Sequence, residues 1–81
     1  MIIDVSTVGI GVILAMPMKK GDLFLIHLTP ADSSLVYRVA RSRPCSDISH
    51  RIGAEFLRRV AGSRAGSLEQ DIDRIRKAIL A

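Results

Sequence analysis

The chain has 81 residues, of which 48% are hydrophobic and 25% charged, with a formal net charge of +4. That length holds one domain, and a chain so short buries only about 60–65% of its unfolded surface. The composition excludes a disordered chain, and the single Cys45 excludes an internal disulfide, so support from a second chain is expected.

The apolar run Val8 to Met16 is too short to span a bilayer. No basic segment precedes it, so no targeting signal is read and a cytoplasmic location is expected. One thiol also fits a reducing compartment. The positive charge gathers in the second half, where Arg38, Arg41, Arg43, Arg51, Arg58, Arg59 and Arg64 outnumber the acids. An anionic partner would be drawn there.

Four extended segments precede one helix. Gly9 to Met16 is apolar and β-branched, and Pro17 to Gly21 closes it as a turn. Asp22 to Leu28 follows, with Leu23, Leu25 and His27 on one face and Phe24, Ile26 and Leu28 on the other. Such a strand is expected to be covered on both sides, with His27 making a local hydrogen bond. Thr29 to Ser34 is a loop by composition. Leu35 to Arg43 alternates: Leu35, Tyr37, Val39 and Arg41 share one face, while Val36, Arg38, Ala40 and Ser42 share the other. Pro44 to Ser49 breaks that pattern. His50 to Val60 is the last strand, with Ile52, Ala54 and Phe56 in register, and Gly53 marks a bulge or a close backbone approach.

Residues 61–66 form a Gly/Ser-containing linker between a β-rich unit over 1–60 and a helix over 67–81. Ser67 and Gln70 make a capping box, and Glu69 and Asp71 suit the first turn. Leu68, Ile72, Ile75 and Ile79 fall on one stripe, which predicts packing onto the strands. Asp73 and Lys77 are spaced for an i,i+4 ion pair.

Catalytic and metal chemistry is absent from the pattern. His27, Cys45 and His50 do not make a zinc set, Gly9-Ile10-Gly11 lacks the rest of a dinucleotide fingerprint, and Asp71 and Asp73 are helix-start acids. No enzyme, metal or cofactor is expected. Phe24, Tyr37 and Phe56 read as core residues, which leaves no stacking platform for nucleic acid. A basic nucleic-acid-binding barrel is accordingly the weakest reading.

One motif carries more. Asp4-Val5-Ser6-Thr7-Val8-Gly9 matches the Asp/Asn-x-Ser-x-x-Gly signature of PilZ domains. The similarity runs on through Gly11-Val12, the turn Pro17 to Gly21, the strands Asp22 to Ile26 and Tyr37 to Arg41, and the ending Arg51-Ile52-Gly53-Ala54-Glu55-Phe56. In an arbitrary protein the same residues would make an Asx-type turn, with Asp4 and Ser6 bonding nearby amides and Gly9 at positive φ. The resemblance implies a mainly β fold, a small antiparallel barrel followed by a C-terminal helix. It also implies a site for cyclic di-GMP, a bacterial second messenger. Asp4 would accept hydrogen bonds from a guanine N1–H and exocyclic amine, Ser6 would add a polar contact, and Gly9 would let the backbone come close.

The sequence departs from the family in one respect. Binding members carry an Arg-x-x-x-Arg motif well upstream of the aspartate, and here only Met1, Ile2 and Ile3 precede Asp4. A barrel incomplete at its N-terminal side, with an unpaired edge, is expected. Each missing guanidinium fork is worth roughly 1.5–3 kcal/mol, so losing two lowers affinity by about two to four decades. Arg38 and Arg41 join Asp4, Ser6 and Gly9 as candidate ligand-binding residues, although the strand pattern aims neither them nor Arg43 at Asp4. The leading expectation is therefore a non-catalytic signalling adaptor. It would work through a protein partner or a second copy, with weak or absent cyclic di-GMP binding. A genuine receptor borrowing arginines from elsewhere is the alternative.

Overall fold

A computed structural model describes residues 1–29 and 32–80. Five strands precede one helix: β1 (Ile2–Val5), β2 (Gly9–Leu14), β3 (Leu23–Leu28), β4 (Ser33–Ser46), β5 (Ser49–Ala61) and α1 (Leu68–Leu80). All neighbouring strands are antiparallel, in the order β1-β2-β5-β4-β3. The sheet does not close, and β1 and β3 are its two edges. This is the mainly β, incomplete barrel with a trailing helix that the sequence predicts.

The core lies on one face of the sheet. Val5, Ile10, Val12, Leu35, Tyr37, Val39, Ile52 and Ala54 bury there beneath Ile72 and Ile75 of α1. Tyr37 is fully buried, stacked on Phe24 with centroids 5.5 Å apart and edge-on to Phe56 at 5.9 Å. The capping box forms as expected: the Ser67 amide donates to Gln70 Oε1 and the Gln70 amide to Ser67 Oγ. The Asp73–Lys77 pair forms too, at 2.9 Å. Asp71 does more than start the helix. It is buried and accepts from Arg59 Nε at 2.7 Å, which fastens α1 to β5.

Five differences from the sequence reading have physical causes. Ile2–Val5 is itself a strand, paired with β2, so there are five strands and not four. The hairpin of β4 and β5 runs through Pro44 to a turn at Asp47 and Ile48. Pro44 is tolerated because β3 pairs with β4 only as far as Arg38, leaving the rest of β4 with a free side where no amide is needed. β3 is covered on one face alone, since Leu23 and Leu25 are exposed at 61% and 60%. Gly9 does not adopt positive φ. Among the described residues only Gly21 and Asp32 do. Finally, Arg41 leaves the face of Val39. The register slips between these two residues, Val39 facing Ala54 and Arg41 facing Gly53, so Ala40 is an inserted residue that reverses the alternation. His27 bonds Ser34 Oγ at 2.9 Å, as a strand histidine should. Of the expected loop and terminal helix, Pro30, Ala31 and Ala81 lie outside the described residues.

Candidate functional site

The bulge at Ala40 organises the sheet's outer face. Beyond it Arg41 and Arg43 point away from the core, as do Arg51 and Gly53 on β5 and Gly9 and Gly11 on β2. The pairing puts Arg41 opposite Gly53, Gly53 opposite Gly11, and Gly11 opposite Asp4. One row across four strands thus runs from a guanidinium over two glycines to a carboxylate. The glycines make the row a trough. A Cβ on Gly53 would lie 3.1 Å from Arg41 Nε, and one on Gly11 would lie 2.5 Å from Asp4 Oδ1. The two charged side chains therefore lean over space that any other residue would fill.

Two adjoining depressions open on this face. One, of about 550 Å³, is bordered by Asp4, Ser6, Gly9, Arg41 and Glu55. The other, of about 300 Å³, is bordered by Asp4, Gly11, Arg41, Arg43, Arg51 and Gly53. Asp4 and Arg41 belong to both. Of the sequence-predicted residues, Asp4, Ser6, Gly9 and Arg41 come together around one hollow. Arg38 does not border it; its guanidinium is held by Glu55, with Nε donating at 2.7 Å.

The turn between β1 and β2 is tightly defined. The Ser6 amide donates to the Gly9 carbonyl at 2.9 Å, and the Val8 amide donates to Ser6 Oγ at 3.2 Å. The Phe56 amide binds the Val8 carbonyl and Arg76 Nε the Val5 carbonyl, tying the turn to β5 and α1. Gly9 is needed for close strand contact, since a Cβ there would sit 2.6 Å from the Ala54 carbonyl oxygen. Ser6 is thus engaged locally. The Asp4 carboxylate has no hydrogen-bond partner among the described residues, so its lone pairs are available.

Arg43 and Arg51, outside the set of candidates drawn from the sequence, also border the hollow. Strand alternation, which the bulge overrides, hid Arg43, whereas Arg51 alternates outward against Ile52 and lacked only a visible partner across the hairpin. Among the described residues no group of three His, Cys, Asp or Glu side chains could hold a metal ion, and no helix is long and apolar enough to cross a membrane.

The PilZ domain family model matches residues 1–73, nine-tenths of the chain and everything from β1 into α1. The chain belongs to the PilZ domain family. No curated protein and no solved structure gave a match. PilZ domains are generally non-catalytic receptor or adaptor modules associated with cyclic di-GMP, and membership in the family points to a cyclic di-GMP-binding or related signalling-adaptor role.

Proposed function

We propose that this PilZ domain is a non-catalytic receptor-adaptor that takes cyclic di-GMP on the outer face of its sheet. The observation that carries the reading is the row Arg41–Gly53–Gly11–Asp4. A bare two-glycine floor admits a flat ring against the backbone. The unpartnered Asp4 carboxylate at one end suits the paired N–H donors of a guanine edge. Ser6 and Gly9 shape the adjoining turn, and Arg41 brings a cation to the far end. That arginine comes from β4, within the sheet itself, and does not depend on a motif upstream of Asp4. Isothermal titration with cyclic di-GMP is the test. Binding that Asp4→Ala weakens by about tenfold or more is expected, and absence of heat at high micromolar ligand would end the proposal.

A second reading, an adaptor acting through protein contacts, draws on a different observation. β3 is an unpaired edge whose six residues include no charge and no proline, and Leu23 and Leu25 lie open on its outer face. Edges of this kind pair readily with other strands. In this reading the sheet edge is the output surface and the glycine trough the input.

A further inference from the structure

We propose that Arg43 and Arg51, with Arg41, form a clamp for a phosphodiester or similar oxyanion, set beside the guanine position on the same face. Arg43 and Arg51 are directly opposed across the β4–β5 hairpin. Like charges in that arrangement repel and destabilise a sheet by a few tenths of a kcal/mol to about 1 kcal/mol. No ion pair among the described residues relieves them. Among the described residues the ion pairs are Arg38–Glu55, Arg59–Asp71 and Lys77–Asp73, so Arg41, Arg43 and Arg51 have no carboxylate within 4 Å. The hollow they border holds three guanidiniums against the one carboxylate of Asp4. Arg38 and Arg59, by contrast, are each paired with a carboxylate.

The placement is also specific. The Ala40 bulge turns Arg41 and Arg43 to the outer face together, and the missing Gly53 side chain lets the Arg41 stem lie across β5. A cluster of uncompensated guanidiniums held on paired strands is preorganised for an anion with several oxygens, which accepts forked hydrogen bonds from each. A ligand whose base meets Asp4 would thereby lay its phosphate over the hairpin. The clamp rests on the guanine reading only for that last step, since its own anion affinity needs no base.

The experiment uses the full chain at low ionic strength, with inorganic pyrophosphate and cyclic di-GMP as probes and thermal melting and calorimetry as readouts. Pyrophosphate should raise the melting temperature of the wild type, and the gain should fade as salt is added. Arg43→Gln/Arg51→Gln should abolish that gain and bind cyclic di-GMP at least about 100-fold more weakly, tenfold per arginine. Without ligand the double variant should melt at or above the wild type, because the opposed pair is gone. Asp4→Asn should keep or strengthen the pyrophosphate response while losing cyclic di-GMP.

Unchanged binding of both probes by the double variant overturns the clamp and leaves the guanine site standing. Pyrophosphate binding without any cyclic di-GMP binding by the wild type supports the clamp and removes the guanine reading. No response of the wild type to pyrophosphate overturns the clamp. Should the double variant not fold, Arg43→Gln alone, at an exposed position of the hairpin, carries the same comparison.

Discussion

The hydroxyl of Tyr37 sits in the core with no hydrogen-bond partner among the described residues. A buried polar atom left unpaired costs stability, so Tyr37→Phe should leave the fold unchanged or more stable by up to about 1 kcal/mol in urea titrations at pH 7. Burial also pushes the Tyr37 hydroxyl from 10.0 up to about 12. The folded state then keeps a proton that the unfolded chain has already released. Nothing changes below the unfolded value. As pH climbs from about 10 towards 12 stability should fall, by about 2–3 kcal/mol in full, and Tyr37→Phe should flatten this slope. An alkaline slope identical in both proteins would count against the assignment. A second contrast separates two glycines. Gly9→Ala drives a Cβ against the Ala54 carbonyl oxygen and should cost roughly 1–3 kcal/mol. Gly11→Ala meets only side chains, the Asp4 carboxylate, which can swing aside, and Ile3 Cγ1 at 3.3 Å, which must give by a few tenths of an ångström. It should change stability by less than about 1 kcal/mol yet weaken cyclic di-GMP binding, because Asp4 leaves the row. Equal stability losses in the two variants would contradict the trough geometry. At this scale the sequence was only partly legible. Asp4, Ser6 and Gly9 stand in a recognisable spacing, but the packing demand on Gly9 was not visible, because contact with a carbonyl on a distant strand leaves no local trace.

Among elements, α1 was the most legible, since capping and stripe periodicity are local properties and Ser67, Gln70, Ile72 and Ile75 act as their spacing implies. β1 was not. Four residues are too few to show alternation, and their pairing with β2 is a tertiary fact. The β4–β5 hairpin was read too short because Pro44 normally ends a strand, and its tolerance depends on β3 stopping early. The bulge at Ala40 had no visible signal, and with it went the outward turn of Arg41 and Arg43. The join between sheet and helix yields a sharp prediction. Asp71 is 1% exposed and paired with Arg59, which also donates to the Gly66 carbonyl at 2.8 Å. Asp71→Asn leaves a partly buried guanidinium without its counter-charge and should cost about 2–4 kcal/mol in urea unfolding. Asp73→Asn breaks only an exposed helical pair and should cost less than about 0.5 kcal/mol. Comparable losses would mean that the Arg59–Asp71 contact does not fasten the helix.

For the molecule as a whole, the two outward features face different chemistry. The hairpin side of the sheet is basic and floored by glycine, whereas the β3 edge strand carries no charge and leaves Leu23 and Leu25 exposed. An open sheet leaves the backbone of β3 unpaired along the apolar side. A strand added there would gain main-chain hydrogen bonds and cover leucines at once. Self-association through this edge should therefore appear as a rising sedimentation coefficient with protein concentration. Leu25→Lys places a charge at the middle of the exposed face without touching the core and is the change most suited to block such pairing. The variant should sediment as a monomer at every concentration and keep the wild-type pyrophosphate response, since the arginines lie at the other end of β4. A wild type that stays monomeric throughout would remove the edge as a contact between copies, and association undiminished in Leu25→Lys would move that contact elsewhere on the surface.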